Sequence, residues 1–145
     1  MTTIAWDGTS VAADTQITCE GMRRRSHKLT VTDTWIYGHT GMEADCERVA
    51  RWVLAGADLD RPPDLDDGEG AHGLLVNRTT GEVFTLAGKN AVPRKIEEAF
   101  HATGSGRDYA VAAMALGKTA AEAVSLAARF DVFTGEPVDV VQVRP

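Results

Sequence analysis

The first residues of the chain contain its clearest candidate for catalytic chemistry. The sequence begins Met1-Thr2-Thr3, so removal of the methionine would make Thr2 the N-terminal residue. A threonine hydroxyl is a weak nucleophile until a base accepts its proton. The α-amine of an N-terminal threonine is such a base, because its pKa of about 7.7–8.0 leaves part of it neutral at physiological pH. Residue type alone favours a plain role for Thr2 at the start of an edge strand.

An amine of this kind works better with two further charged side chains beside it. A lysine lowers the pKa of the amine by like-charge repulsion, and an aspartate keeps that lysine charged and oriented. The chain must therefore fold so that residues distant in sequence meet at its N-terminus.

Turn residues and apolar patterning predict the strands that would position such a site. Thr3–Trp6 and Ser10–Ala13 flank Asp7-Gly8, a strong hairpin signal. Further strands are predicted at Lys28–Thr32, Thr34–His39, Gly73–Asn77, Glu82–Ala87, Ala99–Thr103 and Val138–Val143.

Helical spacing predicts three helices, at Met42–Ala55, at Asp108–Leu116, and from the capping box Thr119-x-x-Glu122 to Phe130. Asp58–Gly70 is acidic and contains several Pro and Gly residues, so we expect a loop there. The spacing of apolar residues in Lys89–Glu98 fits neither a helix nor a strand. The order of elements, strands followed by helices and one closing strand, indicates an α+β layered fold. The sequence has no internal repeat and no domain boundary, so we expect one domain over residues 1–145.

Composition excludes several functional classes. The formal net charge is −6, which argues against nucleic acid or an anionic membrane as the main partner, because both require a basic face. The run Arg23-Arg24-Arg25 is too short to reverse this and is expected to be a solvated loop. No signal peptide or apolar span of about 20 residues is present, so we expect a cytoplasmic protein with Cys19 and Cys46 reduced and no zinc site.

The opening stretch resembles the start of a mature proteasome β-subunit or of HslV, the bacterial proteasome relative. Five motifs in the family's order support this, and they cover nearly the whole chain. They are residues 2–21 with Val11-Ala12-Ala13-Asp14, then His27-Lys28-Leu29, Gly41-Met42-Glu43-Ala44-Asp45-Cys46, Thr103-Gly104-Ser105-Gly106 before Tyr109-Ala110, and Arg129-x-Asp131-x-x-Thr134-Gly135.

The resemblance implies roles for individual residues. Thr2 would be both nucleophile and base, with Lys28 as the neighbouring cation and Asp14 as the anchor of that lysine. Ser105 and Asp131 would support the amine and hydroxyl of the threonine through hydrogen bonds.

Two further parts of the site are implied in the same way. The backbone N–H of Gly41 would face the developing oxyanion, and Thr134 would fix the turn that presents Asp131. By position in the family, the substrate pocket would be lined by Ile17, Ser26, Thr30, His39 and Glu43, with Thr18 offering backbone hydrogen bonds to an extended peptide. Glu43 predicts a preference for a basic or polar residue before the cleaved bond.

Each assignment has an alternative that residue type supports. Asp14 would hydrogen-bond its own turn, Lys28 would lie on the surface, Ser105 would cap the following helix, Asp131 would belong to a helix-end loop, and Gly41 would serve only a positive φ angle.

The resemblance implies a four-layer αββα sandwich, the N-terminal nucleophile hydrolase fold. One helical layer would be reduced, since the acidic Asp58–Gly70 segment stands where relatives carry a second helix. The implied function is a threonine peptidase for unfolded protein or peptides, in homo-oligomeric stacked rings. Docking of an ATPase unfoldase is in doubt because that helical face is reduced.

No cofactor is expected for this chemistry, with a cation near Asp131–Thr134 left open. Two other functions also remain open: a non-catalytic assembly protein on the same fold, and a small-molecule amide hydrolase of the N-terminal nucleophile class. The first would retain Met1, because an acylated nitrogen is no base.

Overall fold

The computed structural model describes residues 2–41, 43–65, 70–88 and 90–145. Four sequence-based expectations involve residues outside these ranges. They concern the removal of Met1, the helix start at Met42, residues 66–69 of the acidic loop, and Lys89.

The described residues form eleven strands and three helices. In chain order these are β1 (Thr3–Trp6), β2 (Ser10–Asp14), β3 (Gln16–Cys19), β4 (Met22–Arg25), β5 (Leu29–Val31), β6 (Trp35–Gly41), α1 (Glu43–Leu54), β7 (Ala71–Asn77), β8 (Val83–Leu86), β9 (Arg94–Ile96), β10 (His101–Gly104), α2 (Arg107–Ala115), α3 (Ala120–Phe130) and β11 (Val138–Gln142).

The strands make two large antiparallel sheets. One has the order β10-β1-β2-β11 and the other the order β5-β6-β7-β8-β9. In β1, Ile4 and Trp6 belong to an apolar cluster with Ile36 and Leu74 of the second sheet, whereas Ala5 belongs to a cluster with residues of α2 and α3. This division follows from the alternation of side chains along a strand.

Each large sheet has helices on its other side. Ala113, Ala123 and Val124 of α2 and α3 pack with Ala5 and Ala12 of the first sheet, where small side chains permit close approach. Val49 and Val53 of α1 pack with Trp35, Tyr37 and Leu75 of the second sheet. Among the described residues, α1 is the one helix on that side.

The turn between β1 and β2 is fixed by the Asp7 carboxylate. It accepts hydrogen bonds from the backbone N–H groups of Thr9 (2.9 Å) and Ser10 (2.8 Å) and from that of Ala120 (2.8 Å) at the start of α3. The turn between β1 and β2 is therefore tied to the helical layer. Partial burial raises the pKa of Asp7, but these hydrogen bonds outweigh it and leave the pKa below its usual value.

The hairpin β3–β4 corrects one sequence-based expectation. Arg23, Arg24 and Arg25 lie on β4, paired with Thr18, Ile17 and Gln16, so the prediction of a loop was wrong. All of β4 is exposed, which explains why three arginines in a row occupy a strand without the usual polar–apolar alternation. The segment is solvated, as expected, but it is ordered.

Most other predicted elements are confirmed within one or two residues. The capping box of α3 is present, with the Thr119 hydroxyl accepting from Glu122 N–H and the Glu122 carboxylate accepting from Thr119 N–H. Residues 58–65 and 70 of the acidic segment form neither helix nor strand. No helix in the described ranges has the length and apolar character needed to cross a membrane.

Candidate active site

Thr2 lies at the entry to β1 against the Gly-Ser-Gly turn that joins β10 to α2. Its backbone nitrogen donates a hydrogen bond to Ser105 Oγ (3.2 Å), and Ser105 Oγ donates to Asp131 Oδ2 (2.5 Å). Gly104 is required at this contact. Its φ is +99°, and a Cβ built there would lie 1.9 Å from the carbonyl oxygen of Thr2. The turn therefore lies against the backbone of Thr2 because residue 104 has no side chain.

Asp131 is the acceptor at the centre of a hydrogen-bond network. Besides Ser105, its carboxylate accepts from Thr134 Oγ1 (2.6 Å) and from the Phe133 N–H (3.2 Å). Since Thr134 donates to Asp131, the 2.7 Å contact between Thr134 Oγ1 and Thr3 Oγ1 has Thr3 as donor. Partial burial raises the pKa of Asp131, but the bonds from Ser105, Thr134 and Phe133 prevail and lower it. Asp131 is thus an anion at neutral pH.

Asp14 and Lys28 form a buried ion pair. Lys28 Nζ lies 2.8 Å from Asp14 Oδ1, and it also donates to the Gln16 carbonyl oxygen. The Asp14 carboxylate accepts from the backbone N–H groups of Thr3 (3.1 Å) and Gly135 (3.0 Å). Asp14 therefore connects the lysine, the start of β1 and the turn after Asp131. Burial lowers the pKa of Lys28, opposed by the hydrogen bond and charge of Asp14 and by the charge of Asp131.

An open cavity of about 510 Å³ joins Thr2 to the lysine. Its lining residues come from the hairpin, the β4–β5 connection, the end of β6 and the start of α1: Thr2, Ile17, Thr18, Cys19, Arg24, Arg25, Ser26, Lys28, His39, Thr40, Gly41 and Glu43. Burial and the charge of Lys28 lower the pKa of His39 and outweigh the opposing charge of Glu47, so His39 is neutral at pH 7. The cavity thus combines a hydroxyl, a buried cation and a glycine backbone.

Comparison with solved structures shows which fold carries this arrangement. BPH from Thiobacillus denitrificans, solved in complex with epoxomicin, matches 99% of this chain and 99% of its own at 22% identity with a TM-score of 0.70. HslV from Trypanosoma brucei matches 97% of both chains at 19% identity with a TM-score of 0.70. The Anbu (Gly-1) mutant from Hyphomicrobium sp. strain MC1 matches 98% of this chain and 82% of its own at 14% identity with a TM-score of 0.74.

The chain has the proteasome-type, N-terminal nucleophile hydrolase fold. No protein-family model matches the sequence, and no curated protein sequence matches it. At these identities the structural matches show the fold. The roles of single residues therefore rest on the geometry of this chain.

The geometry connects the six residues assigned to catalysis. Thr2 is joined through Ser105 to Asp131, Asp14 pairs with Lys28, and Gly41 lines the cavity with Thr2 and Lys28. Two residue-type alternatives fail. Lys28 is 1% exposed rather than superficial, and α2 has Gly106 as its N-cap without a side-chain hydrogen bond, so Ser105 does not cap it. Gly41 does have a positive φ of +106°, and this is compatible with lining the cavity.

Five of the six residues assigned to substrate binding line the cavity: Ile17, Thr18, Ser26, His39 and Glu43. Thr30, in the middle of β5 opposite Tyr37, is not among the lining residues within the described ranges. Four further residues line the cavity although no motif in the sequence assigned them to substrate binding: Cys19, Arg24, Arg25 and Thr40. For Arg24 and Arg25 the missed signal was the chain reversal at Glu20-Gly21, both with positive φ, which folds β4 back onto β3.

The described part of the chain contains no cluster of three or more His, Cys, Asp or Glu side chains that would hold a metal ion. The cation that the sequence left open near Asp131–Thr134 remains a prediction.

Proposed function

We propose that this chain is a threonine-type endopeptidase in which Thr2, made N-terminal by removal of Met1, attacks peptide bonds. The observation that carries the proposal is the buried Lys28–Asp14 pair, which opens into the same cavity as Thr2. A buried lysine is costly to keep unless it serves structure or chemistry. Here its cation faces the space where a substrate carbonyl would meet the Thr2 hydroxyl.

The Thr2 nitrogen is the base of the proposed reaction. Once Met1 is removed, the atom that donates to Ser105 becomes a free α-amine, and the positive charge of Lys28 lowers its pKa further. The neutral amine accepts the hydroxyl proton as Thr2 Oγ1 bonds to the carbonyl carbon of the scissile peptide. Ser105, itself held by Asp131, orients the amine for this transfer.

The tetrahedral oxyanion then faces the backbone N–H of Gly41, at the end of β6 in the cavity wall. One such donor typically contributes about 10²–10³ to the rate. Collapse breaks the C–N bond, and the leaving amine takes the proton from the Thr2 ammonium. A water, deprotonated by the same amine, hydrolyses the ester and restores the Thr2 hydroxyl. No cofactor enters either step.

The same proposal includes the layered architecture of one domain over residues 1–145. The three apolar clusters support an order of α1, the five-stranded sheet, the four-stranded sheet, and α2 with α3. This is a four-layer αββα sandwich whose α1 layer is reduced.

Assembly into homo-oligomeric rings is part of the proposed function, because an open nucleophile needs sequestration from folded proteins. Support comes from an exposed apolar patch beside the Asp131 turn, formed by Tyr109, Phe130, Val132 and Phe133. The Tyr109 and Phe130 rings stack at 5.5 Å, and the Arg129 guanidinium lies over the Phe130 ring at 5.7 Å from its centroid. Contiguous exposed apolar groups mark interaction surfaces. Unfolded protein or peptide is the proposed substrate, and an ATPase unfoldase is not required by this site.

Intact-mass spectrometry before and after treatment with a β-lactone tests the proposal. The hydroxyl opens the lactone ring, so the expected result is a chain without Met1 that gains the full mass of one lactone. Thr2→Ala should lose the adduct, and the exposed Thr34→Ala should keep it.

Other outcomes would contradict the proposal in different ways. A chain that keeps Met1 and gains no mass would be a non-catalytic assembly protein. A chain that forms the adduct yet cleaves no peptide would be an amide hydrolase for small molecules.

A further inference from the structure

The β3–β4 hairpin separates two cavities. On one side is the Thr2 cavity, and on the other is a second cavity of about 630 Å³ lined by Gln16, Arg23, Arg129 and Gly135 among others. Arg24 and Arg25 border both spaces. Which arginine serves the Thr2 cavity therefore depends on the face to which each side chain belongs.

Strand register assigns those faces. Residues directly opposite in an antiparallel pair have side chains on the same face, and these faces alternate along each strand. Arg24 is opposite Ile17, which lines only the Thr2 cavity. Arg25 is opposite Gln16, whose side chain donates to the Val132 carbonyl oxygen (3.0 Å) near the Asp131 turn. Arg24 thus shares the face of Ile17, and Arg25 shares the face of Gln16.

The remaining charges in the Thr2 cavity leave the Arg24 guanidinium uncompensated. The charge of Lys28 is already balanced by Asp14, and His39 is neutral. Glu43, in the first turn of α1, is the one acidic side chain among the lining residues. Within the described ranges, Arg24 has no side-chain hydrogen bond or ion pair, with Glu43 or with any other residue. Its donors are free for a ligand.

We propose that Arg24 is a specificity-determining residue that selects peptides with an acidic side chain next to the scissile bond, on the half that becomes bonded to Thr2. An arginine fork binds a carboxylate through two parallel N–H donors, which a lysine or an amide cannot reproduce. The inference rests on the proposed peptidase function. It replaces the preference for a basic or polar residue expected from Glu43, because Arg24 lines the same cavity as Glu43.

The test uses fluorogenic peptides that differ only in the residue before the cleaved bond, with Glu, Gln, Leu or Lys at that position. The purified full chain should show a kcat/KM for the Glu peptide about tenfold or more above that for the Gln peptide, the value of a charge-assisted hydrogen bond. Arg24→Gln should abolish the difference, and Arg24→Glu should favour the Lys peptide. Because Arg24 is solvent-exposed, the Glu/Gln ratio should also fall as salt rises.

Arg23→Gln is the matched control, since Arg23 has the same charge on the same strand but does not itself line the Thr2 cavity, although Thr18 opposite it does. Its Glu/Gln ratio should stay within about twofold of the parent. A parent that prefers the Leu or Lys peptide, or an unchanged ratio in Arg24→Gln, overturns the inference while the peptidase function stands. A chain that cleaves no peptide and takes no β-lactone overturns both.

Discussion

Lys28 Nζ lies 2.8 Å from Asp14 Oδ1, in a site where the two side chains are 1% and 0% exposed. Neither partner has access to bulk water, so each offsets the cost of burying the other's charge. The Thr3 and Gly135 N–H groups that bind Asp14 make the pair a junction between β1 and the turn after α3. Stability and catalysis therefore depend on the same two residues.

Replacing one partner of this pair should strongly destabilise the fold. Lys28→Met removes the cation and leaves the Asp14 carboxylate buried without its partner, so the free energy of unfolding should fall by about 3–5 kcal/mol. Chemical denaturation followed by tryptophan fluorescence measures this. Lys95→Met is the control, since its contact with Glu82 is long (3.3 Å) and half-exposed and should contribute less than about 1 kcal/mol. Equal losses in the two variants would argue against an essential buried pair.

Because Gly104 contacts Thr2, substitution of Gly104 should destabilise the protein more than substitution of Gly117. Gly104→Ala would place a Cβ 1.9 Å from the Thr2 carbonyl oxygen, so the backbone must move. Gly117→Ala has a similar φ (+90°) but nothing within 4 Å. We expect Gly117→Ala to cost only backbone strain of about 1–2 kcal/mol. Gly104→Ala should cost more and should slow β-lactone modification of Thr2. Similar melting curves and labelling rates in both variants would show that the turn does not position Thr2.

Ser105 should affect turnover more than stability. Ser105→Ala removes the acceptor for the Thr2 nitrogen while leaving an exposed position. Because loss of positioning by about 1 Å costs about 10² in rate, kcat should fall by that order with little change in KM. The unfolding free energy should change by only about 1 kcal/mol. Ser125→Ala on α3 provides the comparison and should leave kcat unaltered. A parallel loss of kcat and stability would assign Ser105 a structural role alone.

His39 should make the protein sensitive to mild acid. Burial lowers its pKa below the usual 6.5, so the unfolded chain binds a proton before the folded one does. Unfolding free energy must then decrease as pH falls below about 6.5, until the folded-state pKa is passed. His39→Gln should flatten the stability profile between pH 5 and 7, measured by denaturation at fixed ionic strength. His101 contributes with the same sign, since burial lowers its pKa too. An unchanged slope in His39→Gln would contradict the prediction.

Local signals predicted the parts of the fold that depend on neighbouring residues. Each of these elements is determined by residues close together in sequence: the Asp7-Gly8 turn, the β7–β8 hairpin and the capping box of α3. The β3–β4 hairpin does not, because neither face is buried in the core and so no apolar alternation marks it.

The site posed a different problem. Thr2 and Ser105 are 103 positions apart, and Lys28 becomes buried only through strand packing. Residue types suggested the chemistry of an N-terminal threonine, but no spacing rule brings Ser105 to it. The resemblance of the motifs supplied that connection. It could not supply the lining arginines, since the family's pattern does not include this run.

The β3–β4 hairpin forms a two-stranded sheet of its own, and within the described chain its strands pair with no strand of either large sheet. Its exposed strand can therefore change residue by residue without altering the buried clusters on which folding depends. Related chains could then differ in substrate preference while keeping the same catalytic residues. Exchanging residues 16–25 between such chains should transfer the substrate preference together with the segment.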